Sequence, residues 1–303
     1  MYMCRGRALS CVVTGLALLG LVAGCGSGSA ADESAGAGNG TGTAAAFYPL
    51  AWVAEQVGGA RVQVDLLTSP GVEPHDLELS PEQIAAVTEA DVVLLERGFQ
   101  PAVDDAVDQG AQGTVVDAAT VVDLLPADDA DGSDPHFWHD PMQMASLADR
   151  MGEVYAEADP ANAEAYEAAA DHLVAKLERL DADYRAGLAD CRTRTVVTSH
   201  DAFGYLGDSY DLEMLPIAGI DPTDEPSPER LAELVDLVEA EDITTIFAET
   251  LVSPAVAETL ADEAGLRVAT LDPIEGLSDQ TSEADYLSLM RANLGALVQA
   301  NGC

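Results

Sequence analysis

From about residue 43 the chain alternates two rhythms. Short Val- and Leu-rich runs of strand length are separated by longer segments in which apolar residues recur every three or four positions, as on one face of a helix. In the first half the runs Thr43 to Phe47, Val62 to Leu67, Asp91 to Leu95 and Thr114 to Val116 read as strands. Leu50 to Val57, Pro81 to Glu89 and Pro101 to Gln109 read as the helices between them. The second half repeats the pattern, with strands at Thr195 to Thr198, Glu213 to Ile217, Thr244 to Phe247 and Arg267 to Leu271. Its helices fall near Ala202 to Ser209, Pro228 to Ala240, Pro254 to Ala264 and Glu283 to Gln299. Apolar strands alternating with helices imply a parallel sheet covered on both faces. The expected fold is therefore α/β, with two lobes each built on a parallel four-stranded sheet.

Between the halves the pattern changes. Met142 to Ala158 reads as one helix, and Ala161 to about Asp190 is an uninterrupted stretch rich in Ala, Glu and Leu. Tyr166, Ala169, Leu173, Leu177, Leu180 and Tyr184 lie at helical spacing along it. A helix of about 30 residues would span roughly 45 Å, longer than one crossover needs, so it is expected to join the lobes as a strut. His172 rides on it as an ordinary surface residue.

The N-terminus departs from the globular rhythm. Arg5 and Arg7 precede the apolar run Ala8 to Ala23, which is short for a membrane span of about 20 residues and has the layout of a secretory leader. Val22-Ala23-Gly24-Cys25 closes it and resembles the lipobox of bacterial lipoproteins, in which the cysteine is lipidated and becomes the new N-terminus. Gly26 to Ala46, mostly Gly, Ser, Ala and Thr, reads as a flexible tether. The expected organisation is leader 1–24, tether 25–46, first lobe 47–158, linking helix 159–190 and second lobe 191–303.

Composition narrows the function. With 54 acidic and 13 basic residues the formal charge is −41, and Lys176 is the only lysine. A chain without a basic face is a poor binder of nucleic acid. Besides Cys4, Cys11 and Cys25 at the N-terminus, only Cys191 and Cys303 remain. In an exported protein these two can pair, tying the start of the second lobe to the C-terminus, or remain unrelated thiols; spacing does not decide.

The candidate chemistry lies just after strands. His75 follows Leu67, His200 follows Thr198, Asp272 follows Leu271, and His136 lies in the loop beyond the last strand of the first lobe. Open α/β sheets bind ligands at the carboxyl ends of their strands, so four such residues, two from each lobe, point to a cleft site. Ser133 to Pro141 adds a second imidazole, His139, in a loop stiffened by two prolines, with Asp140 and Pro141 opening a helix.

Five segments carry a family resemblance: Phe47-Tyr48-Pro49-Leu50, Gly71-Val72-Glu73-Pro74-His75, Asp134-Pro135-His136-Phe137-Trp138, Thr198-Ser199-His200-Asp201-Ala202-Phe203 and Leu271-Asp272-Pro273-Ile274-Glu275-Gly276-Leu277. Together they resemble the landmarks of the zinc- and manganese-binding lipoproteins of bacterial metal ABC importers, in order from about Phe47 to Gln299. The resemblance implies two α/β lobes bridged by a rigid helix with little closure. It also implies a metal held by His75, His136, His200 and Asp272. A monomer held by lipidated Cys25 on the outer face of the cell membrane would pass its ion to a membrane permease. His139 stands where that family usually has an apolar residue, which leaves it as an outer group, an auxiliary ligand or a replacement for His136. The long His-rich loop of many zinc members is here short and acidic. Glu249, at a strand end, is a candidate outer-shell or fifth ligand.

Three imidazoles and a carboxylate fill a tetrahedral site without water, which suits binding rather than catalysis. Imidazole favours Zn²⁺; Mn²⁺, the alternative, prefers more oxygen ligands. Affinity is expected to fall below about pH 6 to 6.5 as the imidazoles protonate. A zinc hydrolase would need three ligands, an open position and a general base such as Glu73 or Glu275, and the chain has no HExxH unit. An adhesin finds no support in the sequence.

Overall fold

The computed structural model describes residues 40–127 and 132–303. Cys25, the leader and nearly all of the tether lie outside them, as does the middle of the acidic loop.

The first sheet contains β1 (Thr41–Ala45), β2 (Val62–Leu66), β3 (Val92–Leu95) and β4 (Thr114–Asp117), all parallel in the order β2-β1-β3-β4. β1 begins before the expected Thr43 and occupies the last residues of the stretch read as tether. Small residues are required there. Ala44 and Ala45 are buried between neighbouring strands, and a side chain at Gly40 would collide with the Arg61 carbonyl. Phe47 and Pro49 then start α1 (Tyr48–Gly58), a helix buried on nearly all sides. Lobe one is completed by α2 (Pro81–Glu89), closed by a Ser80/Gln83 capping box, and α3 (Pro101–Gly110).

The helical hairpin between the lobes consists of α4 (Pro141–Ala158) and α5 (Ala163–Gly187). Asp140 caps α4 by accepting the Met142 amide, as its place before Pro141 suggests. Gly152 brings the two helices together, because a side chain there would press on the Ala170 methyl. At 25 residues α5 is shorter than expected and spans about 38 Å. Asp159 and the single turn Pro160–Asn162 break the run before it starts. The strut role still fits its packing. Near one end Tyr166 meets Tyr155 of α4 at 5.5 Å, and near the other the Tyr184 hydroxyl donates to the Met290 carbonyl at 2.6 Å.

The second sheet repeats the first. Its strands are β5 (Thr195–Thr198), β6 (Glu213–Pro216), β7 (Thr245–Ala248) and β8 (Arg267–Thr270), parallel in the order β6-β5-β7-β8. Around it lie α6 (Gly204–Tyr210), α7 (Pro228–Ala240), α8 (Ala255–Ala264) and α9 (Tyr286–Asn301). Cys191 and Cys303 form a disulfide joining the entrance of β5 to the chain end. Closing 112 residues of chain contributes up to about 4–5 kcal/mol through the unfolded state.

One apolar core runs from β1 and α1 through the hairpin into α6 and α9, and a smaller one lies among β7, α7 and α8. The lobes are also pinned by hydrogen bonds. Gly71 N–H donates to Leu277 O and Trp138 Nε1 to Pro273 O, each at 2.7 Å, and Tyr205 Oη donates to Asp134 O at 2.8 Å. Such an interface favours small adjustments over a wide hinge.

Candidate metal centre

The carboxyl ends of both sheets face each other across the cleft, and four side chains meet there. His75 lies in the loop after β2, held by Gln100, whose Nε2 donates to Thr68 Oγ1 and Pro74 O at 2.9 Å each. Its ring stands edge-on to Phe99 with centroids 4.6 Å apart. His136 opens the single turn Phe137–His139. Asp134 Oδ1 accepts its amide at 2.9 Å and its ring Nδ1 at 2.7 Å, an Asx-type contact favoured by the intervening Pro135. His200 leaves the end of β5. Glu249 Oε1 accepts its amide at 3.0 Å and lies 2.7 Å from its Nδ1.

The fourth side chain is Glu275, not Asp272. His75, His136, His200 and Glu275 each offer a ligand atom within 4.8 Å of all the others. Asp272 instead holds the turn: its Oδ1 accepts the Ile274 amide at 2.8 Å and its Oδ2 the Thr250 hydroxyl at 3.2 Å. Ile274 adopts φ 57°, a left-handed conformation costly for a β-branched residue. That reversal, secured by Asp272 and by Trp138 on the Pro273 carbonyl, swings Glu275 into the cleft. A sequence reading that stops at the strand end selects Asp272, because nothing local announces an isoleucine at positive φ.

Glu275 Oε1 lies 3.6 Å from His75 Nε2, 3.3 Å from His136 Nε2 and 3.2 Å from His200 Nε2. A tetrahedral ion with bonds of about 2.0–2.1 Å has ligand-to-ligand edges of about 3.3 Å. Glu275 therefore already stands close to that spacing from each imidazole, and all four donors lie within 4.8 Å of one another. His139 does not join them. It is fully buried against Phe203, with ring centroids 4.7 Å apart, and neither ring nitrogen finds a hydrogen-bond partner among the described residues. Glu249 stands behind His200 rather than within the group.

The electrostatics separate these roles. Burial lowers the His200 pKa, but Glu249 and Glu275 outweigh it and raise the pKa to about 10. Burial also opposes charge on His136, and Asp134 with Glu275 again overcomes it. Burial works to raise the Glu275 pKa, yet the surrounding imidazoles hold it well below the usual range. For His139, burial and the neighbouring His136 lower the pKa to about 3, so it stays neutral. Behind Asp134 sits buried Glu96, raised far above its ordinary value by burial and by the Asp134 and Asp117 carboxylates.

Asp134 and Glu275 are the residues that sequence reasoning did not assign to the centre. The Asp-Pro-His spacing was an available signal for Asp134, since an aspartate commonly bonds the backbone two residues on.

Two parallel-sheet lobes on a fixed strut, with three imidazoles and a carboxylate closing on one point in the cleft, define a metal-binding receptor. The comparisons place it more narrowly. Residues 44–300 match the ZnuA family model, "Zinc-uptake complex component A periplasmic", and the chain belongs to that family. The family is a transport component, not an enzyme. The high-affinity zinc uptake system protein ZnuA of Bacillus subtilis is 31% identical over 296 residues, covering 91% of this chain and 92% of its own. Among solved structures, the laminin-binding protein Lmb of Streptococcus agalactiae, described as bifunctional with adhesin and metal-transporting activity, superposes with a TM-score of 0.80. It is 31% identical, with 86% of this chain and 99% of that one covered. The Zn(II)-bound ZnuA-like domain of Streptococcus pneumoniae AdcA gives a TM-score of 0.75 at 32% identity, with 87% and 100% covered. The chain spans about half of full-length AdcA, 54%. Among the described residues no helix is long and apolar enough to cross a membrane.

Proposed function

We propose that this protein captures Zn²⁺ outside the cytoplasm and delivers it to the membrane permease of an ABC importer. The ion is held by Nε2 of His75, His136 and His200 and by the Glu275 carboxylate. The observation that carries this reading is the spacing of Glu275 Oε1 from the three imidazoles, 3.2 to 3.6 Å, which matches the edge of a zinc tetrahedron. Zinc is favoured over Mn²⁺ because three of four donors are imidazoles. Four protein donors leave no position for a reacting water, which separates the site from zinc hydrolases. The protein acts as a monomer, anchored through a lipid on Cys25 at the outer face of the cell membrane.

A zinc titration of the chain lacking its first 25 residues tests the reading. One ion per chain, a higher melting temperature on loading and loss of binding in Glu275→Ala are expected. Full affinity in Glu275→Ala together with loss in Asp272→Ala would return the fourth ligand to Asp272. Metabolic labelling with a fatty acid, compared between the wild type and Cys25→Ala, tests the anchor.

A further inference from the structure

The group is not equally buried all round. The side chains of His136, His200 and Glu275 are at most 1% exposed, whereas His75 is 8% and Glu73 is 16% exposed. His75 Nε2 is buried and has no hydrogen-bond partner among the described residues. It lies 4.0 Å from Glu73 Oε1, longer than the edge of about 3.3 Å of a zinc tetrahedron. Glu73 therefore does not share a tetrahedral ion with His75 but stands one short step outside it.

Glu73 is fixed in that place. Its Oε1 accepts the His75 amide at 3.1 Å and its Oε2 the Asp76 amide at 3.3 Å. Each carboxylate oxygen has two lone pairs, so one on each remains for an incoming ligand. Glu73 does not belong to the four-residue group itself.

We propose that Glu73 is an entry ligand, to which an arriving hydrated divalent ion binds before it passes to His75 Nε2 and the inner group. The inference rests on the metal-binding reading of the inner group. It differs in its kinetics. A residue that touches the ion only on the way in lowers the barrier from both directions, so its removal slows entry and exit together and leaves Kd unchanged.

The test is stopped-flow mixing of the full chain in detergent with zinc sulfate, followed by the fluorescence of Trp138, whose ring centroid is 5.1 Å from that of His136. Release is measured with a chelator. Glu73→Gln keeps an acceptor for the His75 amide, and its expected result is about tenfold slower association, equally slower release and an unchanged apo melting temperature. Unchanged association in Glu73→Gln, alongside tight wild-type binding, overturns the entry role. Weaker Kd through faster release also overturns it and makes Glu73 a resting ligand. Failure of the wild type to bind zinc would overturn the metal-binding reading as well, and the wild-type titration reports that separately.

Discussion

His136 and His200 are fully buried, and each has a carboxylate at 2.7 Å from Nδ1, Asp134 in one case and Glu249 in the other. His75 sits on the solvent side of the same point, packed edge-on to Phe99, with Glu73 as its nearest anionic neighbour beyond Glu275. One half of the site is thus pre-built and fully buried, and the other lies nearer the surface. Outer carboxylates orient an imidazole and raise its basicity, so the buried half should set affinity and the outer half should set access.

The largest effect expected from this contrast is in the ligands. His200→Ala or His136→Ala removes a donor where no water can replace it and should abolish measurable zinc binding in a competition titration. His75→Ala should keep weakened but measurable binding, because a solvent molecule can take the vacated position. Equal losses for all three would break the distinction. Next come the outer carboxylates. Asp134→Asn and Glu249→Gln should each cost about 10–100-fold in affinity with one ion still bound.

Protonation gives a third test. The folded pKa of His200, about 10, lies above its ordinary value, so in the empty protein its ion pairs contribute full stability below about pH 6.5. That contribution is lost as the pH rises towards 10. Zinc has to displace the proton, so affinity should keep rising through the same window, and at pH 7.5 at least one proton should leave per ion bound. Calorimetry in buffers of different ionisation heat measures this. An affinity that levels off just above pH 6.5, as ordinary imidazoles would give, counts against the pre-built half.

His139 gives the smallest effect on zinc. Its folded pKa of about 3 lies below the unfolded value, so folding loses stability as the pH falls from about 6.5 towards 3. His139→Leu should recover about 2 kcal/mol at pH 5 relative to pH 7.5 and leave zinc affinity within about twofold. A large loss of affinity would restore it as a ligand.

The alternation of Val- and Leu-rich runs with amphipathic segments was enough to place the eight strands among the described residues and the strut, because a parallel sheet buried on both faces leaves a strong local pattern. Boundaries were less legible. β1 lies in Gly, Thr and Ala residues that read as tether, and only burial between β2 and β3 makes them a strand. The same division runs through the site. His75, His136 and His200 were legible because strand ends in an α/β fold converge on one cleft. Their chemistry was decided elsewhere. Asp134, two residues from its imidazole, could be inferred from turn geometry, whereas Glu249 reaches His200 across 49 residues of chain. Glu275 enters only because Ile274 turns left-handed under bonds from Asp272 and from Trp138 of the other lobe. The sequence by itself determined which three imidazoles meet and at which end of each lobe they emerge. The tertiary structure decided which carboxylate completes the set and which imidazole stays out, because both depend on contacts between residues far apart in the chain.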